Sequence, residues 1–210
     1  MDIQYYGANC VTFTSKNFRV VIDDNLAELG LKSIMKADDI LIFTSSHKEL
    51  SIVPRLLIDQ PGEYEVAGLS ITGIAARSHV GAPGSHEATM YKVIVDDTSY
   101  FLPGHIYPDL NDDQLEAIGT ADVMLVPVGG NGYTLDATGA LQLLKKIEPK
   151  LVIPTHYADE AINYPVEQQS LEQAMKNLGM EPKEAVPKLH IKPDESMGDA
   201  AAQLVILARS

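Results

Sequence analysis

Cysteine occurs once, at Cys10, so no intramolecular disulfide framework can form. A lone thiol fits a small buried side chain in a reducing, cytoplasmic setting. Positive charge is scarce: 16 Lys and Arg against 29 Asp and Glu leave a net charge of −13. A general phosphate-backbone binder needs a basic face, so no nucleic acid is expected as a partner. A nuclease working through a metal and local lysines is disfavoured by the same argument without being removed. No apolar run approaches the roughly 20 residues that a membrane helix requires, and Met1-Asp2-Ile3-Gln4 does not open a basic-then-apolar leader. Neither membrane insertion nor secretion is expected. There is no repeat of fixed short period, no low-complexity tract and no interdomain linker. The 210 residues therefore read as one domain with a sizeable core.

What the chain does have is a strong βαβ pattern between Ala121 and Tyr157. Val123 to Val128 reads as a strand, Gly129-Gly130-Asn131-Gly132 as a loop, and Ala137, Ala140, Leu141, Leu144 and Ile147 as one face of a helix capped by Asp136. Leu151-Val152-Ile153-Pro154-Thr155 reads as a second strand, parallel to the first and buried on both faces. Pro154 is expected to stop the ladder and leave His156 exposed at the strand end. The alternative is a histidine that merely follows a strand and caps a loop.

Earlier segments suggest an antiparallel meander at Ile3 to Tyr6, Cys10 to Thr14 and Phe18 to Ile22, with Asp23 and Asp24 capping a loop. Leu29 to Met35 reads as a short helix or turn. Further strands are expected at Asp39 to Phe43, Arg55 to Ile58, Gly62 to Val66, Leu69 to Ala75, Met90 to Val95 and Ser99 to Leu102. Asn111 and Gln114 form a capping-box pattern for a short helix ending near Ile118. Val166 to Leu178 reads as a helix. Lys188 to Ile191 and Gln203 to Leu207 read as late strands separated by a polar loop. Two sheets with helices outside accommodate this order.

Four of the six histidines occupy one kind of position. His47, His79, His105 and His156 each follow an apolar strand, whereas His86 reads as a loop residue and His190 as a strand-surface residue. Neutral imidazole is a common transition-metal ligand, and strand ends bring distant residues together.

The chain resembles the metallo-β-lactamase fold superfamily, in particular the branch of L-ascorbate-6-phosphate lactonase and related zinc-dependent hydrolases. The resemblance is carried by Gly7 with Cys10, by Val20-Val21-Ile22-Asp23, and by Ala37-Asp38-Asp39-Ile40-Leu41-Ile42-Phe43-Thr44. Ala121-Asp122-Val123-Met124-Leu125-Val126-Pro127-Val128-Gly129-Gly130 and Pro149-Lys150-Leu151-Val152-Ile153-Pro154-Thr155-His156-Tyr157 complete it. It spans nearly the whole chain in order. It implies an α/β fold of the α+β kind, a four-layer αβ/βα sandwich with its site on one edge.

The resemblance also exposes a departure. The family signature Thr-His-X-His-X-Asp-His stands here as Thr44-Ser45-Ser46-His47-Lys48-Glu49-Leu50, which keeps only the second histidine. His79 and His156 match the family's third-motif and final histidines. His105 sits where the bridging Asp belongs, and Gly7-Ala8 replaces Gly-His. What the resemblance leaves is His47, His79, His105 and His156 as metal ligands. Three protein ligands plus water make a catalytic zinc site, and four a structural one. Zinc is the expected ion, with manganese or iron as alternatives. Glu49 is a candidate general base, a partner for a ligating histidine, or a solvated surface residue. Tyr133 is a candidate for substrate contact or for packing. The expectation is a mononuclear metal-dependent hydrolase acting on a small lactone or phosphorylated substrate, with homo-oligomerisation left open. The alternative is an inactive member of the fold that serves as a binding module.

Overall fold

The structure is a computed structural model, and it describes residues 1–181, 183–192 and 202–210. In chain order the strands are β1 (Asp2–Gly7), β2 (Cys10–Thr14), β3 (Arg19–Ile22), β4 (Ile40–Ile42), β5 (Leu56–Ile58), β6 (Gly62–Val66) and β7 (Leu69–Ala76). They continue with β8 (Ala88–Val95), β9 (Thr98–Leu102), β10 (Val123–Pro127), β11 (Leu151–Thr155), β12 (Leu189–His190) and β13 (Gln203–Leu204). The helices are α1 (Asp112–Ile118), α2 (Ala137–Ile147) and α3 (Leu171–Leu178), with a 3-10 turn at Leu26–Leu29. Among the described residues, no helix is long and apolar enough to cross a membrane.

Two sheets result, ordered β12-β1-β2-β3-β4-β5 and β13-β11-β10-β9-β8-β7-β6. Each begins antiparallel and turns parallel where connections lengthen. β1, β2 and β3 form the expected meander, and β3, β4 and β5 run parallel. In the second sheet β6 to β9 are antiparallel hairpins, and β9, β10, β11 and β13 are parallel. Alternation along each strand sends one set of side chains between the sheets. Ile3, Phe13, Val20, Ile40, Ile71, Tyr100, Leu125 and Ile153 belong to that shared core. The opposite face of the second sheet packs Met90, Phe101, Met124, Val126 and Val152 under Ala140, Leu143, Ala174 and Met175 of the helices. The outer face of the first sheet is covered by the 3-10 turn and the loop after it, through Leu26, Leu31, Ile34 and Met35.

Local signals explain the helix ends. Asn111 and Gln114 make both bonds of a capping box, and Asp136 caps α2 by accepting the Gly139 N–H at 2.7 Å.

Three expectations change. Residues 166–170 are not helical, and α3 opens at Leu171 behind Ser170. The preceding segment is held extended because Gln169 donates to Gly129 O and accepts from Ala158 N. Pro154 lies within β11 opposite Val126 instead of ending it. The ladder continues as Thr155 O takes the Val128 N–H at 3.0 Å. His156 is buried at 1% exposure, the reverse of the exposed strand end expected. The polar loop between the late strands lies largely outside the described residues.

Ile153 is fully buried between the sheets. Ile153→Ala should cost about 3 kcal/mol through lost transfer energy and a residual cavity. Asp136→Ala should cost about 1 kcal/mol through the orphaned N–H groups of α2. Equilibrium denaturation measures both, and the ranking tests whether the buried parallel pair dominates stability.

Candidate histidine site

His156 enters the site from β11 in the left-handed region, at φ 53°. Its backbone N–H donates to Ala8 O at 2.8 Å, which turns the ring inward beneath the β1–β2 turn. Ring Nδ1 lies 3.1 Å from Gln168 Oε1. The Gln168 amide is oriented by its own Nε2, which donates to Val166 O at 2.9 Å. Oε1 therefore faces the ring as an acceptor, Nδ1 carries the proton, and Nε2 keeps its lone pair. Gly129 makes this approach feasible. A Cβ there would collide with Gln168 Oε1 and with His156 O.

His105 follows β9 after Pro103-Gly104. Its ring meets that of His156 edge-on, with centroids 4.7 Å apart and planes at 90°. Tyr133 closes one side, at 5.3 Å from His105 and 5.8 Å from His156. Tyr164 closes another, 4.9 Å from His156, with its hydroxyl donating to Tyr157 O. Burial pushes the His156 imidazole down to about 3, helped by the neighbouring His105. It pushes His105 down to about 4, against a backbone hydrogen bond at Tyr133. Both rings are neutral at physiological pH.

His79 is adjacent through the backbone, its N–H donating to His105 O at 2.7 Å. Its Nδ1 lies 3.3 Å from Ile106 O, and its ring lies 6.1 Å from Tyr107. His47 is placed elsewhere. Its ring stacks on Phe43 at 4.2 Å, with Nδ1 2.7 Å from Lys48 O and Nε2 3.2 Å from Asp59 Oδ2. Both nitrogens face oxygen acceptors, which hold the ring on this loop and away from His105 and His156. Glu49 is exposed on the same loop and does not border the adjoining cavity. Leu50, at the position of the signature's last histidine, packs against the cluster of Cys10, Val21, Leu26, Leu41 and Phe43. This loop serves the outer core.

The structure thus brings His105, His156 and Tyr133 together, sets His79 beside them, and leaves His47 and Glu49 apart. Among the described residues, no three or more His, Cys, Asp or Glu side chains converge as a metal site. The single four-histidine cluster expected from strand ends is therefore not assembled, because the loop after β4 follows its apolar contacts and Asp59. Sequence reasoning missed Gln168 and Tyr164. Gln168 falls in the stretch expected as helix and Tyr164 in the loop before it, and neither carries a motif. The small side chains of Gly129 and Gly130 were the available hint that something packs close.

Two cavities adjoin these residues. One of about 570 Å³ is bordered by Tyr164 and Gln168 with Asn163, Asp159, Glu160 and Glu167. Another of about 480 Å³ is bordered by His47, Asp59, His86 and Glu87 with Thr44 and Thr89. Among the described residues, neither is lined by Lys or Arg.

A metal-dependent hydrolase of Thermoplasma acidophilum is 29% identical over 112 residues, 48% of this chain and 45% of that protein. The match thus spans about half the length of that relative. A candidate Zn-dependent hydrolase of the metallo-β-lactamase superfamily from Thermotoga maritima superposes with a TM-score of 0.76 at 20% identity, over 99% of this chain and 98% of that one. A metallo hydrolase from Ignicoccus hospitalis superposes at 0.61 and 18% identity, over 91% and 99%. At these identities the structures establish the fold alone. The model of the Beta-lactamase superfamily domain matches residues 2–156, well over half the sequence, and the chain belongs to that family.

Proposed function

We propose that the chain is a metal-dependent hydrolase whose site has been rebuilt around His105 and His156 and acts on a small neutral ester or lactone. The observation that supports it is the pair itself, two neutral imidazoles in contact, one with its Nδ1 proton committed to Gln168. Relatives in this family are metal-dependent hydrolases, and that membership implies a metal cofactor. Zinc is the first choice, with manganese and iron as alternatives.

The residues that fit an ion are His105 and His156. They are deprotonated at neutral pH, and the Gln168 bond resembles the outer partners that orient metal-ligating histidines. With two protein donors and no third converging among the described residues, the reading is of a single ion. A metal held there supplies Lewis acidity toward a substrate carbonyl. Gln168 fixes the His156 tautomer, Tyr133 and Tyr164 wall the rings from water, and the cleft beside Tyr164 offers room for a small substrate. Carboxylates line both cavities without Lys or Arg, which favours a neutral substrate over a phosphorylated one. The single, buried Cys10 supports a cytoplasmic setting.

The binding-module reading is favoured by one observation, that no third donor converges among the described residues. Titration of metal-free protein with zinc, manganese and iron separates the two. A saturable site should appear in wild type, vanish in His156→Ala, weaken about ten- to hundredfold in Gln168→Ala, and survive in His47→Ala. Hydrolysis of neutral lactones or esters should follow the same order. Binding that ignores His156→Ala overturns the site, and no binding of any of the three ions leaves the binding module.

A pH dependence follows for the metal-free protein. His156 sits near 3 folded against an ordinary 6.5, so the unfolded chain binds the extra proton between those values. Stability from this group is complete above 6.5 and is lost as pH falls. Between pH 7 and 5 the loss is about 2 kcal/mol. Asp23, raised to about 6, acts with the opposite sign over part of this window. The histidine's share is therefore the difference between wild type and His156→Gln in denaturation at the two pH values.

A further inference from the structure

Beyond the ends of β7 and β9, residues 77–79 and 105–107 form a short antiparallel bridge. Ser78 lies opposite Ile106, the Tyr107 N–H donates to Arg77 O at 2.9 Å, and the His79 N–H donates to His105 O at 2.7 Å. Side chains directly opposite each other share a face, as do those two apart on one strand. Arg77, His79, His105 and Tyr107 therefore lie on one side of the bridge. The ring contacts agree with this, since Arg77 Cζ stands 4.0 Å over the Tyr107 ring and that ring lies 6.1 Å from His79. Along the strand, Arg77 is roughly 7 Å from His79.

The Arg77 guanidinium is held at two points. Its Nε donates to Gly81 O at 2.8 Å, and the Tyr107 ring supports its plane. Among the described residues, neither Nη1 nor Nη2 has a hydrogen-bond acceptor or a carboxylate partner. The outer edge of the fork is unused. Carboxylates are plentiful in this chain, with 29 Asp and Glu against 16 Lys and Arg. Arg19 and Arg209 are each bound by an aspartate, at 2.7 and 2.6 Å, and Arg55 is exposed to water. Arg77 is half-buried, and its charge is unmatched. Glu87, on the loop after His79, takes the Ser78 hydroxyl at 3.3 Å instead. A cation partly withdrawn from water without a counter-charge is destabilising. A planar fork with its outer edge free is suited to a carboxylate, which it takes through two parallel bonds.

The proposed hydrolysis generates such a group. Water adds its oxygen to the acyl carbon as the acyl C–O bond breaks, and the alcohol oxygen leaves with one of the water protons. The second proton goes to solvent, because a carboxylic acid is ionised at neutral pH. A neutral substrate thus becomes an anion. Asp159, Glu160 and Glu167 border one adjoining cavity and Asp59 and Glu87 the other, so both repel it. Val80 at 73% and Tyr107 at 39% exposure leave the Arg77 side open to solvent. We propose that Arg77 is a carboxylate-binding residue, which receives the acid that hydrolysis releases and draws it past His79 towards the surface. The product role rests on the hydrolase reading, whereas the binding of a carboxylate at Arg77 does not.

Glycolate, a small hydroxy acid, is titrated into metal-free protein at fixed ionic strength, beside its uncharged counterpart glycolamide and inorganic phosphate. The Arg77 Nε–H and Tyr107 ring signals are followed by NMR. Wild type should show a saturable shift with glycolate and none with glycolamide. Phosphate carries more charge for the neighbouring carboxylates to repel, so it should bind less tightly. Arg77→Gln should lose glycolate affinity about tenfold or more, and Arg77→Lys, which keeps the charge without the fork, about tenfold. The lysine variant keeps the test open if Arg77→Gln does not fold. Glycolamide binding as well as glycolate, phosphate binding more tightly, or affinity undiminished in either variant overturns the carboxylate site. In metal-loaded enzyme, inhibition of neutral-ester hydrolysis by glycolate should weaken in Arg77→Lys by the same factor as its affinity. Unchanged inhibition there overturns the product role. Absence of hydrolysis in wild type sinks the hydrolase reading and the product role together, while the metal-free titration decides the carboxylate site by itself.

Discussion

The site depends on backbone approaching closer than any side chain would allow. Gly104 lies against Thr44, and Gly129 lies against the His156 carbonyl and Gln168. These two contacts join the first sheet to the second and β10 to the segment before α3. Gly104 immediately precedes His105, and Gly129, in the loop after β10, faces the His156 carbonyl. Without them the strand ends would stand further apart, and His105 could not meet His156 edge-on at 4.7 Å. Gly104 has φ 62°, so an L side chain there would add backbone strain to the collision.

Desolvation then sets the chemistry. In a chain of net charge −13, an exposed imidazole would be surrounded by carboxylates that favour its protonation. Burial overrules this at His105 and His156 and keeps both neutral. The same low-dielectric corner raises Asp23, which stays ionised at neutral pH through two hydrogen bonds from one threonine. Neutral bases and a buried anion within one group of strand ends cost stability in opposite pH directions. Such opposed burial is more often found where groups have a task than where they only fill a core.

Most of the fold was legible because it rests on local periodicity and turn chemistry. The βαβ unit from Val123 to Thr155, the Asn111 capping box and the antiparallel opening are fixed by alternation, caps and glycines within short windows. The site was less legible because it depends on contacts between distant segments. His156 reads as exposed from its neighbours in sequence, yet Ala8, 148 positions earlier, takes its N–H. Gln168 lies in a stretch whose composition suits a helix, where the backbone bonds of Gln169 to Gly129 and Ala158 hold the chain extended, and Tyr164 lies in a loop with no local signal. Asp23 reads as a loop cap, which describes its neighbour Asp24 well, bonded as that residue is to Ile34 and Met35. Nothing local marks Asp23 as facing Thr44 across the sheet.

The loop after β4 is held by apolar contacts. Its family signature asks four positions to face a metal, and a leucine at the last of them cannot. Leu50 joins Leu26, Leu41 and Phe43 on the outer face of the first sheet, and His47 lies flat on Phe43 with Asp59 beyond it. Apolar burial of this kind is worth a few kcal/mol per large side chain, enough to keep the loop ordered without an ion. The histidines on the second sheet touch that loop only through Thr44 at its start, since β9 and β11 hold them through a parallel ladder shared with β10. One half of this region therefore packs as core, while the other half, His105 and His156, stays at the strand ends. The threonine that closes β4 remains the point where the two halves still touch.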